Sequence, residues 1–534
     1  MSERIGAQDP LLLDTTMRDG HQTPGVNFGV DDKIEIATLL ADIGVDIVEA
    51  GYPFSSPADF RAVEEVAKEV GDRVIVSSFG RITLPDVEAA CEAVEPAKKY
   101  GHARVHIGIA TSELHMAEKL HMTRAQVLTA TRLGVARAKE FTDDVQFYAE
   151  DASRSDFDFL MAVLIEAAGA GATTLMVPDT VGACAPDQYG NLIRSTKGRL
   201  AKEFGAGAVA VSAHCHNDLG LATINTLAAL ADGEDGEEGA DQVEAVVGGY
   251  GERAGNASLE EVAITMHLLP HLVSGRQLGI EMSGLTHLAN TVAELGGVPL
   301  PQSKPVVGPA AHEHKSGIHQ DGVDKGLRSG VNTIYTPYPP ELVGQETTFC
   351  NDAQSGKAGA RSRLEAIGMD VTPEQVKEIS EKATLLAGNE GRDVVDSDFE
   401  ALAALVTGEE LVDQIKLDDF TASKSKGQPS FGSVEVGNVK ETAISTGGEL
   451  DAVAIAIYKA TGLKCEIKKW KTGIKVPGSN AAVGVFGTLA MNGHEVRVYA
   501  RSTSTVEAEI ETYAKGLNML CRIQERTVAV TPES

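Results

Sequence analysis

Three things are scarce in this 534-residue chain: basic residues, paired cysteines and long apolar runs. Lysine and arginine number 47 against 77 aspartates and glutamates, a formal net charge of −30. Phosphate backbones and anionic headgroups are bound by Lys and Arg, so this balance disfavours nucleic acid and anionic membranes as partners. A small anionic substrate stays open, because it sees only its own pocket. The acidity reads as a solvated surface of the kind a salty cytoplasm favours. The run from Asp232 to Gly239, DGEDGEEG, fits that reading. The six cysteines (Cys91, Cys184, Cys215, Cys350, Cys465, Cys521) are scattered and contain no Cys-x-x-Cys. That points to a reduced, cytoplasmic protein. No basic start leads into an apolar stretch, so no signal peptide is expected. The most apolar region, Leu160 to Pro178, contains Glu166 and a Gly-Ala-Gly turn. It reads as helix, turn and strand rather than a membrane span.

The apolar share is 43%, ample for a large core, and the length allows two or three domains. From Leu11 to about Leu269, short apolar runs alternate with helical patterns. The strand candidates are Leu11–Met17, Asp46–Ala50, Val74–Phe79, Arg104–Ala110, Val145–Ala149, Thr173–Val177, Val209–Ala213 and Val243–Val247. Helical segments between them include Asp32–Ile43, Pro57–Val70, Arg124–Phe141, Asp156–Ala168 and Pro186–Phe204. Eight strand–helix units in this length predict an α/β fold, a (β/α)₈ barrel. The alternative, an open doubly wound sheet, normally carries Gly-x-Gly-x-x-Gly after its first strand. The stretch Asp14 to Gly20, DTTMRDG, lacks it.

A barrel does its chemistry at the carboxyl ends of its strands. The unusual polar residues fall there: Arg18 and Asp19 after the first strand, Glu49 at the second, and Glu150 at the fifth. Thr180 follows the sixth strand, His214 and His216 end the seventh, and the eighth runs on to Asn256. His214 and His216 share a side, because side chains alternate along a strand. Strands seven, eight and one are neighbours in a closed barrel. Asp19, His214, His216 and Asn256 can therefore converge on one divalent metal, with Mg²⁺, Mn²⁺ and Zn²⁺ all suited to such donors. Blander readings stand beside this one. A lone His-x-His is often two hydrogen-bonded histidines, Asp19 can pair with Arg18, and Asn256 can cap a helix starting at Ala257.

Three motifs carry a resemblance: TMRDG from Thr16, HCHND from His214 and GERAGN from Gly251. With IATSELHM from Ile109, PDTVG from Pro178 and SGIHQDG from Ser316, the chain resembles the barrel metalloenzymes that include 2-isopropylmalate, citramalate and homocitrate synthases. HMG-CoA lyase is a more distant member. The resemblance spans nearly the whole chain and implies condensation of acetyl-CoA with a 2-oxo acid, then thioester hydrolysis. The first expectation is 2-oxoisovalerate, giving 2-isopropylmalate for leucine biosynthesis. Pyruvate, giving citramalate, is the alternative. The family implies a metal on Asp19, His214, His216 and Asn256, and Arg18 stabilising the oxyanion or enolate. It also implies Thr180 binding the substrate carboxylate, Glu49 orienting Arg18 and metal-bound water, Glu150 and His319 serving proton transfer, and Tyr335 as a further polar contact. His319 and Tyr335 belong to a segment that the family folds over the active site, often that of the neighbouring subunit. Tyr148 faces the same side as Glu150, where many isopropylmalate synthases have a small Ser. A Tyr there is expected to narrow the pocket and favour pyruvate.

Three domains are expected: the barrel at 9–275, linker subdomains covering the active site at 276–396, and a C-terminal α+β unit at 397–534. The last shows a weak internal βββα repeat, with SerThrGlyGly from Ser445 leading one helix and Ser502 onward leading the other. It resembles the leucine-sensing dimerisation domain of isopropylmalate synthases, which citramalate synthases share with isoleucine as effector. That implies a homodimer and places effector contacts at Gly447 and Gly448.

Overall fold

The computed structural model describes residues 9–234, 236–349, 357–474 and 482–530. The chain divides into two compact units: residues up to 312 with 340–346, and 313–339 with the rest. In the first unit eight parallel strands close into a barrel in chain order: β1 Leu11–Asp14, β2 Ile47–Gly51, β3 Ile75–Arg81, β4 Ala103–Ala110, β5 Asp144–Glu150, β6 Thr174–Asp179, β7 Ala210–Cys215 and β8 Gln242–Ala245. Leu11 to Asp14 of β1 pair with Gln242 to Ala245 of β8 and shut the ring. Strands between a helical shell and a filled interior are buried on both faces, so they read as continuous apolar runs. All eight residues of β4 are buried.

The helices begin where polar side chains satisfy free backbone donors. Ser56 accepts from Asp59 N ahead of Pro57–Val70, and Thr123 forms a capping box with Gln126 ahead of Arg124–Phe141. The Leu160 to Pro178 region resolves into helix Phe157–Ala170, a left-handed Gly171 and β6. Among the described residues, no helix is long and apolar enough to cross a membrane.

Two expectations need correction. The first strand stops at Asp14, because the Asp14 carboxylate accepts from both the backbone N–H and the hydroxyl of Thr16 and turns the chain. Asn256 caps no helix. The helix is Leu259–Leu268, and Asn256 instead bridges to His216 by backbone pairing. The described acids of the acidic run are exposed, as expected, and the run carries surface ion pairs: Asp232 with Arg276, Glu237 near Arg194 and Glu238 with Lys197.

The second unit ends in two βββα modules. The first is β9 Leu417–Ser423, β10 Ser430–Val436 and β11 Val439–Ser445, then helix Glu449–Thr461. The second is β12 Glu466–Ile474, β13 Val483–Met491 and β14 His494–Ser502, then helix Thr505–Val530. Both sheets are antiparallel. Their helices share one core containing Val453, Ile457, Leu489, Val498, Tyr513 and Leu517. Strand β12 went unread in the sequence.

Candidate metal centre and its surroundings

The parity of the strands decides what enters the barrel. Glu49 on β2, Arg104 and His106 on β4, Gln146 and Tyr148 on β5, Ser212 and His214 on β7, and Gln242 and Glu244 on β8 are all buried. All but Tyr148 join into one hydrogen-bonded interior. Arg104 Nη1 donates to Gln146 and Gln242, Gln146 donates to Glu244 at 2.6 Å, and Ser212 donates to the same Glu244 oxygen at 3.0 Å. Buried polar groups survive only when satisfied in this way.

At the carboxyl rim, Asp19, His214 and His216 bring one ligand atom each to within 4.8 Å of one another. Asp19 Oδ2 lies 3.3 Å from His214 Nε2 and 3.8 Å from His216 Nε2. The two Nε2 atoms are 3.3 Å apart. On its far side His214 Nδ1 sits 3.1 Å from the Glu244 carboxylate. That carboxylate accepts the Nδ1 proton and turns the Nε2 lone pair toward the cluster. Three buried polar atoms here have no hydrogen-bond partner among the described residues: Asp19 Oδ1, His216 Nδ1 and Asn256 Oδ1.

The protonation pattern fits a site for positive charge. Burial alone would raise the Asp19 carboxyl, but the Arg18 guanidinium and both imidazoles outweigh it and hold it far below the usual range. Burial works against a charged His214, yet hydrogen bonds to Asp19 and Glu244 lift it to about 9. Burial and the adjacent His214 push His216 down to about 3. Two imidazoles at this distance hold one proton between them. A divalent cation held by Asp19, His214 and His216 would take that proton's place, and the orphaned oxygen of Asn256 suits the same ion.

Arg18 stands beside the cluster. It donates from Nη1 to Asp19 at 3.1 Å and from Nε to Glu49 at 2.6 Å. Glu49 also accepts from Thr15 at 2.7 Å and lies 2.6 Å from His106 Nδ1. Burial favours its neutral form, but Arg18 and His106 keep it ionised, well below the ordinary value. Arg18 lies over the Phe79 ring at 4.3 Å, and Phe79 stacks on Tyr148 at 4.8 Å. His106 meets both rings edge-on. Tyr148 therefore forms, with Phe79, an aromatic wall beside Arg18.

Glu150 ends β5 and is bound by Lys119 at 2.6 and 2.8 Å, with His115 3.3 Å away. Thr180 Oγ1 accepts from Asp151 N at 2.9 Å, so its own proton is free for an acceptor. Arg253 donates to the Thr180 carbonyl and to Asp218. His319 and Tyr335 lie in the second unit, their rings stacked at 4.1 Å. Gly447 and Gly448 are there too: Gly447 N donates to Ser445 Oγ, and Gly448 is the N-cap of Glu449–Thr461.

The sequence reading missed Glu244, His106 and Gln146. Each sat inside a proposed strand as a polar residue at inward parity, and that parity was the signal.

A closed parallel barrel with an Asp-His-His cluster at its carboxyl rim defines a barrel enzyme with a candidate divalent-metal centre. Comparison with known proteins narrows this. The HMGL-like family model matches residues 9–292, the homocitrate synthase post-HMGL domain-like model 306–390, and the LeuA allosteric (dimerisation) domain 393–521. The chain is 36% identical to the 2-isopropylmalate synthase of Pelotomaculum thermopropionicum, over 97% of this chain and 99% of that one. It is 36% identical to that of Pyrococcus furiosus over 96% and 99%, and 37% to that of Carboxydothermus hydrogenoformans over 95% and 97%. The chain belongs to the HMGL-like family and, within it, to the 2-isopropylmalate synthases.

Proposed function

We propose that this chain is a cytoplasmic acyltransferase that condenses acetyl-CoA with 2-oxoisovalerate and hydrolyses the thioester, releasing 2-isopropylmalate and CoA. The observation that carries the reading is the Asp19–His214–His216 cluster with Arg18 beside it, in a chain whose 2-isopropylmalate synthase relatives match it end to end. Asp19, His214 and His216, with Asn256 at hand, would hold Mg²⁺, Mn²⁺ or Zn²⁺. When bound, such an ion is a Lewis acid for the 2-oxo carbonyl.

The chain's own groups supply the rest. Arg18, locked by Glu49 and Asp19, presents fixed positive charge where an oxyanion develops. Thr180 donates its hydroxyl proton to the substrate carboxylate. The methyl of acetyl-CoA is a very weak acid and needs a positioned base. Glu150 takes that role, with Lys119 bound to its carboxylate. His319 is assigned to proton transfer, and Tyr335 to a further polar contact, on the family resemblance. The C-terminal modules are assigned dimer formation and feedback by leucine, with contacts at Gly447 and Gly448.

One observation favours a second reading, citramalate synthesis from pyruvate. The Phe79–Tyr148 wall stands beside Arg18, where it would crowd an isopropyl group.

Removing bound metal with a chelator tests the first reading. Thiol release from acetyl-CoA should cease and return on adding Mn²⁺ or Mg²⁺. His214→Ala should lower the rate more than about 100-fold, since it removes a ligand rather than a supporting contact. Activity indifferent to both would sink the metal-centred mechanism.

A further inference from the structure

Strands β12, β13 and β14 put alternate residues on opposite faces of their sheet. One face, with Val485, Leu489, Val496 and Val498, is buried. The register sets four rows across the other face: Glu466, Ala490 and Glu495; Lys469, Thr488 and Arg497; Lys471, Phe486 and Tyr499; Gly473, Gly484 and Arg501. The last three rows hold four cationic residues and no acidic one, in a chain of net charge −30, and both acids stand in the first row, where Lys468 binds Glu466. Such a concentration runs against the composition of the whole surface. The four form no ion pairs among the described residues. Arg497 Nε is buried and has no hydrogen-bond partner among the described residues.

The face is hollow. A cavity of about 380 Å³ is lined by Lys471, Phe486, Tyr499 and Arg501. A second of about 200 Å³ shares Lys471 and Phe486 and reaches Lys469 and Arg497. The Phe486 and Tyr499 rings lie 4.6 Å apart and form an aromatic floor, with the Arg392 guanidinium over Tyr499 at 4.2 Å. Gly484 makes room for this floor: a Cβ there would stand 2.7 Å from the Tyr499 hydroxyl. Two carboxylates reach the rim. Glu390 is bound by Arg392, and Asp393 is outnumbered by the cations.

We propose that this groove binds an organic polyphosphate bearing a planar ring, of the nucleoside di- or triphosphate class. The ring lies on Phe486 and Tyr499, and the phosphates reach the lysines and arginines on either side. Neighbouring strands are about 4.8 Å apart, so Lys471 and Arg501, two strands apart, lie further from each other than one phosphate spans. A diphosphate bridges them. The size suits a small ligand, whose pockets begin near about 300 Å³. A branched-chain amino acid does not fit this chemistry, because its ammonium would face four cations. The groove is also separate from Gly447 and Gly448, which precede the helix of the other module.

Trp470, the one tryptophan of the chain, stands between Lys469 and Lys471 on the opposite, core-facing side of the sheet, beside Gly487, so it does not report on the groove directly. The test titrates the full-length protein with ADP and with inorganic pyrophosphate, at the lowest salt that keeps it folded by circular dichroism. Equilibrium dialysis gives binding, and the variants give its location. Saturable ADP binding is expected. The double variant K471A/R501A should weaken it at least tenfold, and Phe486→Ala should weaken ADP while leaving pyrophosphate unchanged. Three results would each overturn the proposal: no saturable ADP binding, binding unaltered in folded K471A/R501A, or pyrophosphate binding as tightly as ADP.

Discussion

His214 is gripped from both sides, by Asp19 at Nε2 and by Glu244 at Nδ1. Glu244 touches no substrate in this reading; it fixes the tautomer and raises the basicity of the ligand. Glu244→Gln should weaken Mn²⁺ binding by about 10- to 100-fold, as measured by metal titration of the apoprotein. Unchanged affinity would make Glu244 a space-filling partner of Ser212 and Gln146. Asp14 gives a separate prediction. Burial raises it to about 7, against hydrogen bonds from Thr16 that favour the ionised form. The folded chain therefore keeps a proton that the unfolded chain releases near its ordinary value of 3.8. The contribution is present below that value and is lost as pH rises to about 7. Stability from this group should fall by about 1.4 kcal/mol per pH unit across the window. Thermal unfolding of Asp14→Asn should lack that slope; an identical slope in both proteins would contradict the assignment. At this scale, the metal residues were legible because His-x-His and Arg-Asp stand out at strand ends. Glu244 was not, because one acid inside an apolar strand looks like an exposed position until closure of the barrel makes its face the interior.

At the scale of elements, β3 and β5 together build the wall beside Arg18: Phe79 from one, Tyr148 from the other. Neither strand alone narrows the site. Tyr148→Ser should raise the kcat/KM ratio of 2-oxoisovalerate over pyruvate by at least about tenfold, the usual worth of one or two methylenes in a pocket. A ratio that does not move would place the substrate side chain elsewhere. The barrel strands were readable because burial on both faces leaves unbroken apolar runs. Helices such as Pro57–Val70 and Arg124–Phe141 were readable to the residue, from proline and threonine at their starts. Strand β12 escaped for the opposite reason. Its sequence EIKKWKTGI carries lysines on the groove face and beyond, and no apolar period survives. The same lysines that hid the strand are the ones that make the groove cationic.

For the whole molecule, the barrel with the candidate metal cluster and the pair of βββα modules fall in different compact units, and His319 and Tyr335 lie in the unit with the modules. The order of the three matched families along the chain repeats that division. The acidic surface sets no chemistry; it bears on solubility and on which partners approach. The central claim belongs to the chain as a whole, and one assay reaches it. Release of CoA thiol from acetyl-CoA would be followed with 2-oxoisovalerate, pyruvate and 2-oxoglutarate in parallel, with Mg²⁺ or Mn²⁺ present. The predicted result is metal-dependent release that is fastest with 2-oxoisovalerate. Fastest release with pyruvate would make the Phe79–Tyr148 wall decisive and the product citramalate. No release with any of the three, from a folded and metal-loaded protein, would contradict the condensation itself.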